Sequence, residues 1–290
     1  MEKVKSRVNN VKVSIKEFFK NFYKVLRKPD MVILPGNIAF YIMLAIIPAL
    51  SLLSLGASIL NLSTSVIYDF IAHSFSSEIA DLILGVNLSN NVGFNFIITI
   101  IIGLYIASNG ADAIILASNT IYNIESKSWL KRRLKALGMM FILVILLLFM
   151  LIVPVFGNTI INLVEEVNIN PIITNRIVAV FEFLKGPITW IIMFIIIKML
   201  YSIAPDNVNS KRVVNYGAIF TTVMFIVGTK IYSVYVTNYA TYSALYGGLA
   251  SVIVLMIWIY FLSLIFTIGI ALNYEKDEVN MLKNGKNTKK

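Results

Sequence analysis

The sequence predicts an all-α, polytopic integral membrane protein with six transmembrane helices, both termini in the cytoplasm and an amphipathic N-terminal helix. The composition is the first reason: 58% of the 290 residues are hydrophobic, only 14% are charged, and the mean hydropathy is +0.80. Soluble domains have about 45–50% apolar and about 25% charged residues. The other two reasons are six long apolar segments and a regular alternation of basic and uncharged connections.

Residues 1–30 are the first predicted element, a basic amphipathic helix. Its apolar residues recur at helical spacing and its lysines fill the other face; the apolar set is Val4, Val8, Val11, Ile15, Phe18 and Phe22. Such a helix lies flat in the headgroup region with its lysines toward anionic lipid. The alternative is a soluble helix that packs on the cytoplasmic loops.

Residues 31–275 form the predicted transmembrane domain. A helix needs roughly 20 apolar residues to cross a hydrocarbon core of about 30 Å, because each residue rises about 1.5 Å. Six segments meet that length, at about 35–60, 94–117, 136–160, 177–203, 213–236 and 247–272. Residues 276–290 follow as a polar, basic tail.

The basic residues outside the spans fix the predicted orientation. Twenty-one Lys and Arg lie in the N-terminal segment, the second and fourth connections and the tail, and one, Arg176, lies in the other connections. Cytoplasmic loops carry the excess of Lys and Arg, so both termini are predicted to be cytoplasmic. The same distribution interprets the net charge of +10 as a surface for anionic membrane lipid, with no nucleic acid partner expected.

The residue inventory limits the chemistry that we expect. The chain has no cysteine and one histidine, His73, so a zinc or iron–sulfur site built from Cys and His ligands is excluded. No phosphate-binding loop, dinucleotide fingerprint or zinc-protease motif occurs. We therefore predict no catalytic residues, no metal, no cofactor and no enzyme activity, with a protein partner or a homo-oligomer left open.

Polar residues inside the spans are the candidate functional residues, because unpaired polar groups are costly in hydrocarbon. In the second span, Tyr105, Ser108, Asn109, Asp112 and Asn119 share one helical face. The predicted substrate path joins residues of several spans: Asn37, Tyr41, Asn109, Asp112, Glu182, Lys185, Lys198, Asn215 and Lys230.

Opposite charges at matching predicted depth are expected to pair. Asp112 would pair with Lys198, and Glu182 with Lys230 or Lys185. The lysines have an alternative, because their long side chains can reach the interface without a partner. For Asp112 the alternative is a structural hydrogen bond between helices.

Prolines interrupt the apolar pattern of three spans, and we expect helix breaks at Pro48, at Pro154 and at Gly186 with Pro187. Proline removes a backbone donor, and broken helices line substrate cavities in many transporters. The alternative is a tolerated kink, which is common in membrane helices.

Several stretches carry a family resemblance: 37–48 (NIAFYIMLAIIP), 200–206 (LYSIAPD), 239–250 (YATYSALYGGLA), 258–260 (WIY) and 269–275 (GIALNYE). Over residues 30–275 the chain resembles the YihY/BrkB family of bacterial inner-membrane proteins. The resemblance implies six spans and a bacterial plasma-membrane location. Gly248 and Ala45 stand where the family usually has Ser, which puts hydrogen bonding at those positions in doubt.

The family has carried a virulence-factor label and a ribonuclease label, and the second fits poorly because the sequence has no metal-ligand cluster. Our leading hypothesis is a transporter-like protein that moves or scrambles a lipid or other amphiphile. The alternative is a non-transporting scaffold whose basic cytoplasmic face recruits a partner or organises anionic lipid.

Overall fold

The fold of the described residues is entirely helical. The computed structural model describes residues 23, 27–59, 68, 94–145, 171–206, 214–239 and 250–287, and no strand occurs within them. The helices are α1 (Asp30–Ile59), α2 (Phe94–Ile121), α3 (129–145, as far as it is described), α4 (Pro171–Ile203), α5 (Asn215–Tyr239) and α6 (Ala250–Asn287). The all-α prediction is confirmed.

Each helix coincides with one predicted span, but several helices are longer than the span. α3 begins at 129 instead of about 136, so part of the predicted loop is helical. α6 has 38 residues and continues to Asn287, well beyond 272. At about 1.5 Å per residue α6 is about 57 Å long, so it must project beyond a hydrocarbon core of about 30 Å.

Three helices contain stretches that are long and apolar enough to cross a membrane. They are Ile101–Ile121, Gly186–Ile203 and Val252–Glu278, and a shorter apolar stretch covers Asp30–Ile46. These three stretches are fewer than the six predicted spans, so six spans and cytoplasmic termini stay predictions. The predicted N-terminal helix over residues 1–22 and Pro154 lie outside the described residues.

α6 is the centre of the described bundle. It packs against α1, α2 and α5, while α1 packs against α2, and α4 against α5. Many large apolar side chains on the outside are exposed, among them Ile101, Phe141 and Val223. An exposed apolar surface of this kind suits a lipid environment, in which apolar side chains face hydrocarbon.

α5 and α6 touch backbone to backbone at two glycines. A Cβ atom on Gly217 would overlap the carbonyl oxygen of Gly269, and one on Gly269 would overlap the hydroxyls of Thr221 and Tyr201. The amide of Gly217 donates to Oδ1 of Asn273 at 2.6 Å. Small residues allow such close approach in membrane bundles, so these positions have no room for a side chain.

The prolines do not end the helices that contain them. α1 is continuous through Pro35 and Pro48, and α4 is continuous through Gly186 and Pro187. The helices therefore do not break at Pro48, Gly186 or Pro187, where breaks were expected. They tolerate the prolines instead. A single missing N–H leaves the rest of the helical ladder intact, and membrane bundles accommodate the freed carbonyl.

Candidate functional site: an arginine-filled polar track

The polar face of α2 is occupied by two consecutive arginines of α3. We call the set Tyr105, Asn109, Asp112, Arg132 and Arg133 the polar track. The expected stripe on α2 is present, but its partners come from the start of α3, which the sequence indicated as a loop. Residues 105–112 lie in the middle part of α2, which runs from 94 to 121.

Arg132 and Asp112 form the ion pair of the track. Nε of Arg132 donates to Oδ1 of Asp112 at 2.9 Å. The two side chains keep 20% and 17% of their surface exposed. The pair is thus accessible from outside the protein.

Arg133 is held more completely. Its Nη1 and Nη2 both donate to Oδ1 of Asn109 at 2.9 Å, and Nη2 also donates to the carbonyl oxygen of Tyr105 at 2.7 Å. The guanidinium lies 3.6 Å from the centre of the Tyr105 ring, within cation–π range. Arg133 is buried, and its Nε has no hydrogen-bond partner in the part of the chain that the structure describes.

A second charged cluster surrounds Asp206, just after α4; we call it the Asp206 cluster. Oδ1 of Asp206 accepts from Nζ of Lys135 at 2.8 Å. Oδ2 accepts from Nδ2 of Asn119 at 2.8 Å and from the amide of Lys127 at 3.0 Å, and the Asp206 amide donates to Oδ1 of Asn119 at 2.9 Å. Lys135 also donates to the carbonyl oxygen of Ala204 at 2.6 Å.

The Asp206 cluster joins the end of α2, the start of α3 and the end of α4. The Asp206 side chain is fully buried, at 0% exposure. Burial alone would raise the pKa of Asp206, but the hydrogen bonds from Lys135, the Lys127 amide and Asn119, together with the Lys135 charge, hold it below its ordinary value. The carboxylate therefore stays ionised and acts as a structural tie.

Two further polar contacts cross between helices near the same end. The Tyr201 hydroxyl lies 2.6 Å from the Thr221 hydroxyl and donates to the carbonyl oxygen of Phe266 at 2.8 Å, which links α4, α5 and α6. Nζ of Lys28 lies 2.9 Å from Oε1 of Glu275, and so ties the segment before α1 to α6.

The predicted path residues are scattered rather than gathered. Asn109 and Asp112 are in the polar track, while Asn37 and Tyr41 are half-buried on α1, whose neighbour is α2. Lys198, Asn215 and Lys230 are exposed. The side chains of Glu182 and Lys185 lie outside the described residues, so their pairing with each other or with Lys230 stays a prediction.

The expected pair of Asp112 with Lys198 is wrong, because Asp112 pairs with Arg132. Depth along a helix does not say which neighbour faces that helix, and α3 supplies a cation with a longer reach. Sequence reasoning also missed Arg133, Lys135 and Asp206 as interior groups. Arg132 and Arg133 were counted only as loop charges, although they directly precede an apolar run.

Comparisons with known proteins place the chain in a family. A family model described as "Virulence factor BrkB" matches residues 22–290, which include all six helices. The chain belongs to this family. No solved structure matches it.

Three relatives illustrate the range of similarity. The putative ribonuclease-like protein YfkH of Bacillus subtilis (strain 168) is 30% identical over 242 residues, which cover 82% of this chain and 87% of that protein. A UPF0761 membrane protein of Idiomarina loihiensis is 31% identical over 88 residues, 30% of this chain and 31% of the relative. One of Psychromonas ingrahamii is 33% identical over 70 residues, 24% of each chain. The resemblance to the family is confirmed, and with it the membrane class.

Two of the stretches that carried the resemblance meet in space. Tyr201 from the 200–206 stretch donates a hydrogen bond to the carbonyl oxygen of Phe266, one turn before Gly269. Asn273 from the 269–275 stretch accepts a hydrogen bond from the Gly217 amide. Asp206, the last residue of the first stretch, is the centre of the Asp206 cluster. These stretches therefore build the junction of α4, α5 and α6 and the contact of α4 with α2 and α3.

Proposed function

We propose that the protein is a transporter-like membrane protein that moves or scrambles an anionic lipid or other anionic amphiphile between the two leaflets of the bacterial plasma membrane. The observation that supports this proposal is the polar track. It sets two guanidinium groups against one carboxylate beside the middle of α2, and Arg132 remains partly exposed.

The energetics explain why such a track suggests function. Insertion scales assign about 2.5–3.5 kcal/mol to a single Arg, Lys or Asp at the centre of a membrane helix. Helix packing alone does not require charges between membrane helices, since interhelical polar contacts in membranes contribute only about 0.6 kcal/mol on average. An excess of positive charge beside α2 would favour a negatively charged headgroup that crosses the apolar layer.

Lipid movement in proteoliposomes tests the proposal. Vesicles that contain the full chain and a trace of fluorescent phosphatidylglycerol are exposed to an impermeant quencher. A static bilayer loses about half of its signal, and a translocator loses more. We expect Arg132→Gln to reduce the rate about tenfold, as removal of one charged contact predicts, while Lys131→Gln, which removes the exposed neighbouring cation, leaves it within about twofold. Movement no faster than in protein-free vesicles overturns the proposal.

A scaffold is the second candidate, and the start of α3 favours it. Lys127, Trp129 and Leu130 are all exposed, and a cation beside aromatic and apolar side chains suits anionic headgroups or an acidic partner. Removal of residues 1–22 separates the two candidates, because it deletes six of the N-terminal cations but keeps Lys28 and its ion pair with Glu275. A scaffold that works through that segment loses its activity, and a translocator keeps its rate.

The orientation that this function needs has a direct test. The chain contains no cysteine, so a single introduced thiol reports one position without background. Lys131→Cys should react with an impermeant maleimide added from the cytoplasmic side of inverted vesicles and stay unreacted in intact cells. The opposite pattern would reverse the predicted topology.

We do not extend the ribonuclease-like name of the Bacillus relative to this chain. In the described part of the chain, Asp112, Asp206 and Glu275 each pair with a different basic residue, and no group of three His, Cys, Asp or Glu could hold a metal ion. A nuclease assay of the purified protein with and without magnesium, in which the proposal expects no cleavage, tests this point.

A further inference from the structure

We propose that Arg132 is the headgroup-binding residue of the polar track, that its ligand is the phosphodiester of an anionic phospholipid, and that Asp112 is an internal anion that competes with this ligand for Arg132. The assignment of the ligand rests on the proposed function, since it names the substrate class of the same track.

The hydrogen-bonding capacity of Arg132 is the first argument. A guanidinium carries five N–H donors, and within the part of the chain that the structure describes Arg132 uses only Nε, which bonds to Asp112. Among the described residues, none accepts a hydrogen bond from its two terminal nitrogens. Those nitrogens form the planar fork that recognises two oxygens of a phosphate at once.

The adjacent arginine shows what a committed guanidinium looks like in the same track. Arg133 directs both terminal nitrogens at Asn109 and at the Tyr105 carbonyl, and it stacks on the Tyr105 ring. It is also buried, whereas the Arg132 side chain is one-fifth exposed. Arg133 therefore forms part of the wall of the track. Arg132 is the residue whose terminal N–H donors remain available and whose side chain a ligand can reach.

Asp112 has a role that follows from charge balance. It contacts Arg132 through one oxygen, at 2.9 Å, so Arg132 and Asp112 form a nearly neutral pair and Arg132 is not a bare cation. A phosphodiester monoanion that approaches the free fork replaces part of this interaction and meets the repulsion of the carboxylate. Asp112 thus keeps Arg132 in place, while it weakens the binding of the anion and favours its release.

Opposite effects of two substitutions distinguish this arrangement from an ordinary structural ion pair. Arg132→Gln removes the binding group, and we expect binding of anionic lipid to fall about tenfold. Asp112→Asn removes the competing charge but keeps the shape, and we expect binding to rise about tenfold, because like charges side by side cost more than that ratio. A structural pair would instead lose binding in both variants.

The experiment uses the full-length protein in a zwitterionic detergent with fluorescent phosphatidylglycerol as the probe. Unlabelled phosphatidylglycerol, phosphatidylcholine and inorganic phosphate are the competitors. Arg132→Lys is the second binding variant, because it keeps a cation for Asp112 but lacks the fork; we expect it to lose most of the preference for phosphatidylglycerol. Lys131→Gln is the matched control, and it should bind within about twofold of the natural sequence. Size-exclusion profiles check that each variant is folded.

The outcomes separate cleanly. Lower affinity in Arg132→Gln together with higher affinity in Asp112→Asn supports the proposal. Equal losses in both variants, or unchanged binding in folded Arg132→Gln or Arg132→Lys protein, overturns it. Inorganic phosphate that competes as well as phosphatidylglycerol overturns the lipid assignment in favour of a soluble phosphate. Because binding is measured without movement, selective binding in a protein that moves no lipid would overturn the proposed function alone.

Discussion

The polar track and the Asp206 cluster use the same ingredients in different ways. In each, a basic side chain from the first turns of α3 meets a carboxylate of another segment, at 2.9 Å in the track and 2.8 Å in the cluster. Asp206 is fully buried and accepts hydrogen bonds from Lys135, Asn119 and the Lys127 amide. Among the described residues Asp112 has a single donor, the Nε of Arg132, and the pair remains partly exposed.

This difference separates a structural ion pair from a candidate binding pair. A buried carboxylate whose oxygens are all bonded has no capacity for a ligand, and removing it leaves its partners unpaired. A pair joined by one bond and open on one side can exchange partners. Satisfaction and access, rather than the presence of opposite charges, therefore decide which contact we assign to function.

The largest expected effect is that of Asp206→Asn. The substitution removes the carboxylate charge that faces the Lys135 ammonium, and breaking a buried pair costs about 3 kcal/mol or more. The measurement is the free energy of unfolding from a detergent titration, followed by the fluorescence of the three tryptophans. Glu125→Gln, an exposed carboxylate in the connection between α2 and α3, should stay within about 0.5 kcal/mol. An equally small loss for Asp206→Asn would remove the distinction between the two regions.

The next effect is a dependence on pH that belongs to the cluster. Because the folded state lowers the pKa of Asp206, the stabilisation is complete above the unfolded value of about 4 and is lost as the pH falls through the lower folded value. Thermal unfolding of the natural sequence between pH 7 and pH 3 should show acid destabilisation that is weaker in Asp206→Asn. Superimposable profiles would show that Asp206 does not contribute.

Asp112→Asn should have a smaller effect on stability. One hydrogen bond of a partly exposed pair is changed, and polar contacts between membrane helices contribute about 0.6 kcal/mol on average. We expect a loss of about 1 kcal/mol or less in the same detergent titration. A loss as large as that of Asp206→Asn would show that the polar track is a structural element and would count against its role in binding.

The smallest effect is expected for Lys198→Gln. Lys198 is exposed and has no ion pair among the described residues, so its removal should change the free energy of unfolding by about 0.5 kcal/mol at most. The double variant with Asp112→Asn should show additive changes. Coupling between the two positions would revive the pair that the sequence suggested.

The sequence predicted where the helices lie better than it predicted which helices contact one another. Apolar length located the six described helices, because the membrane requires about 20 apolar residues for each span. Period 3.6 placed Asn109 and Asp112 on one face of α2, as the structure has them. The sequence could not predict which residues contact that face, since depth along α2 is the same whichever helix packs beside it.

The largest error of the sequence-based prediction was to treat the start of α3 as a loop. Residues 129–135 contain four basic residues, and that density favoured a loop over a helix. In the structure they are helical, and Arg132, Arg133 and Lys135 turn inward toward carboxylates and amides of α2 and α4. A run of basic residues in which some side chains face the protein interior looks the same in sequence as a run that is fully solvated.

The central position of α6 has a consequence for how the protein is made. α6 is the last of the described helices to leave the ribosome, yet it packs against α1 and α2, which leave first. Until residues 250–287 are made, the faces of α1 and α2 that pack against α6 are uncovered, and lipid or another protein must cover them. A nascent chain that stops before α6 should therefore be recognised as unfinished and degraded, even though the other five described helices have already been made.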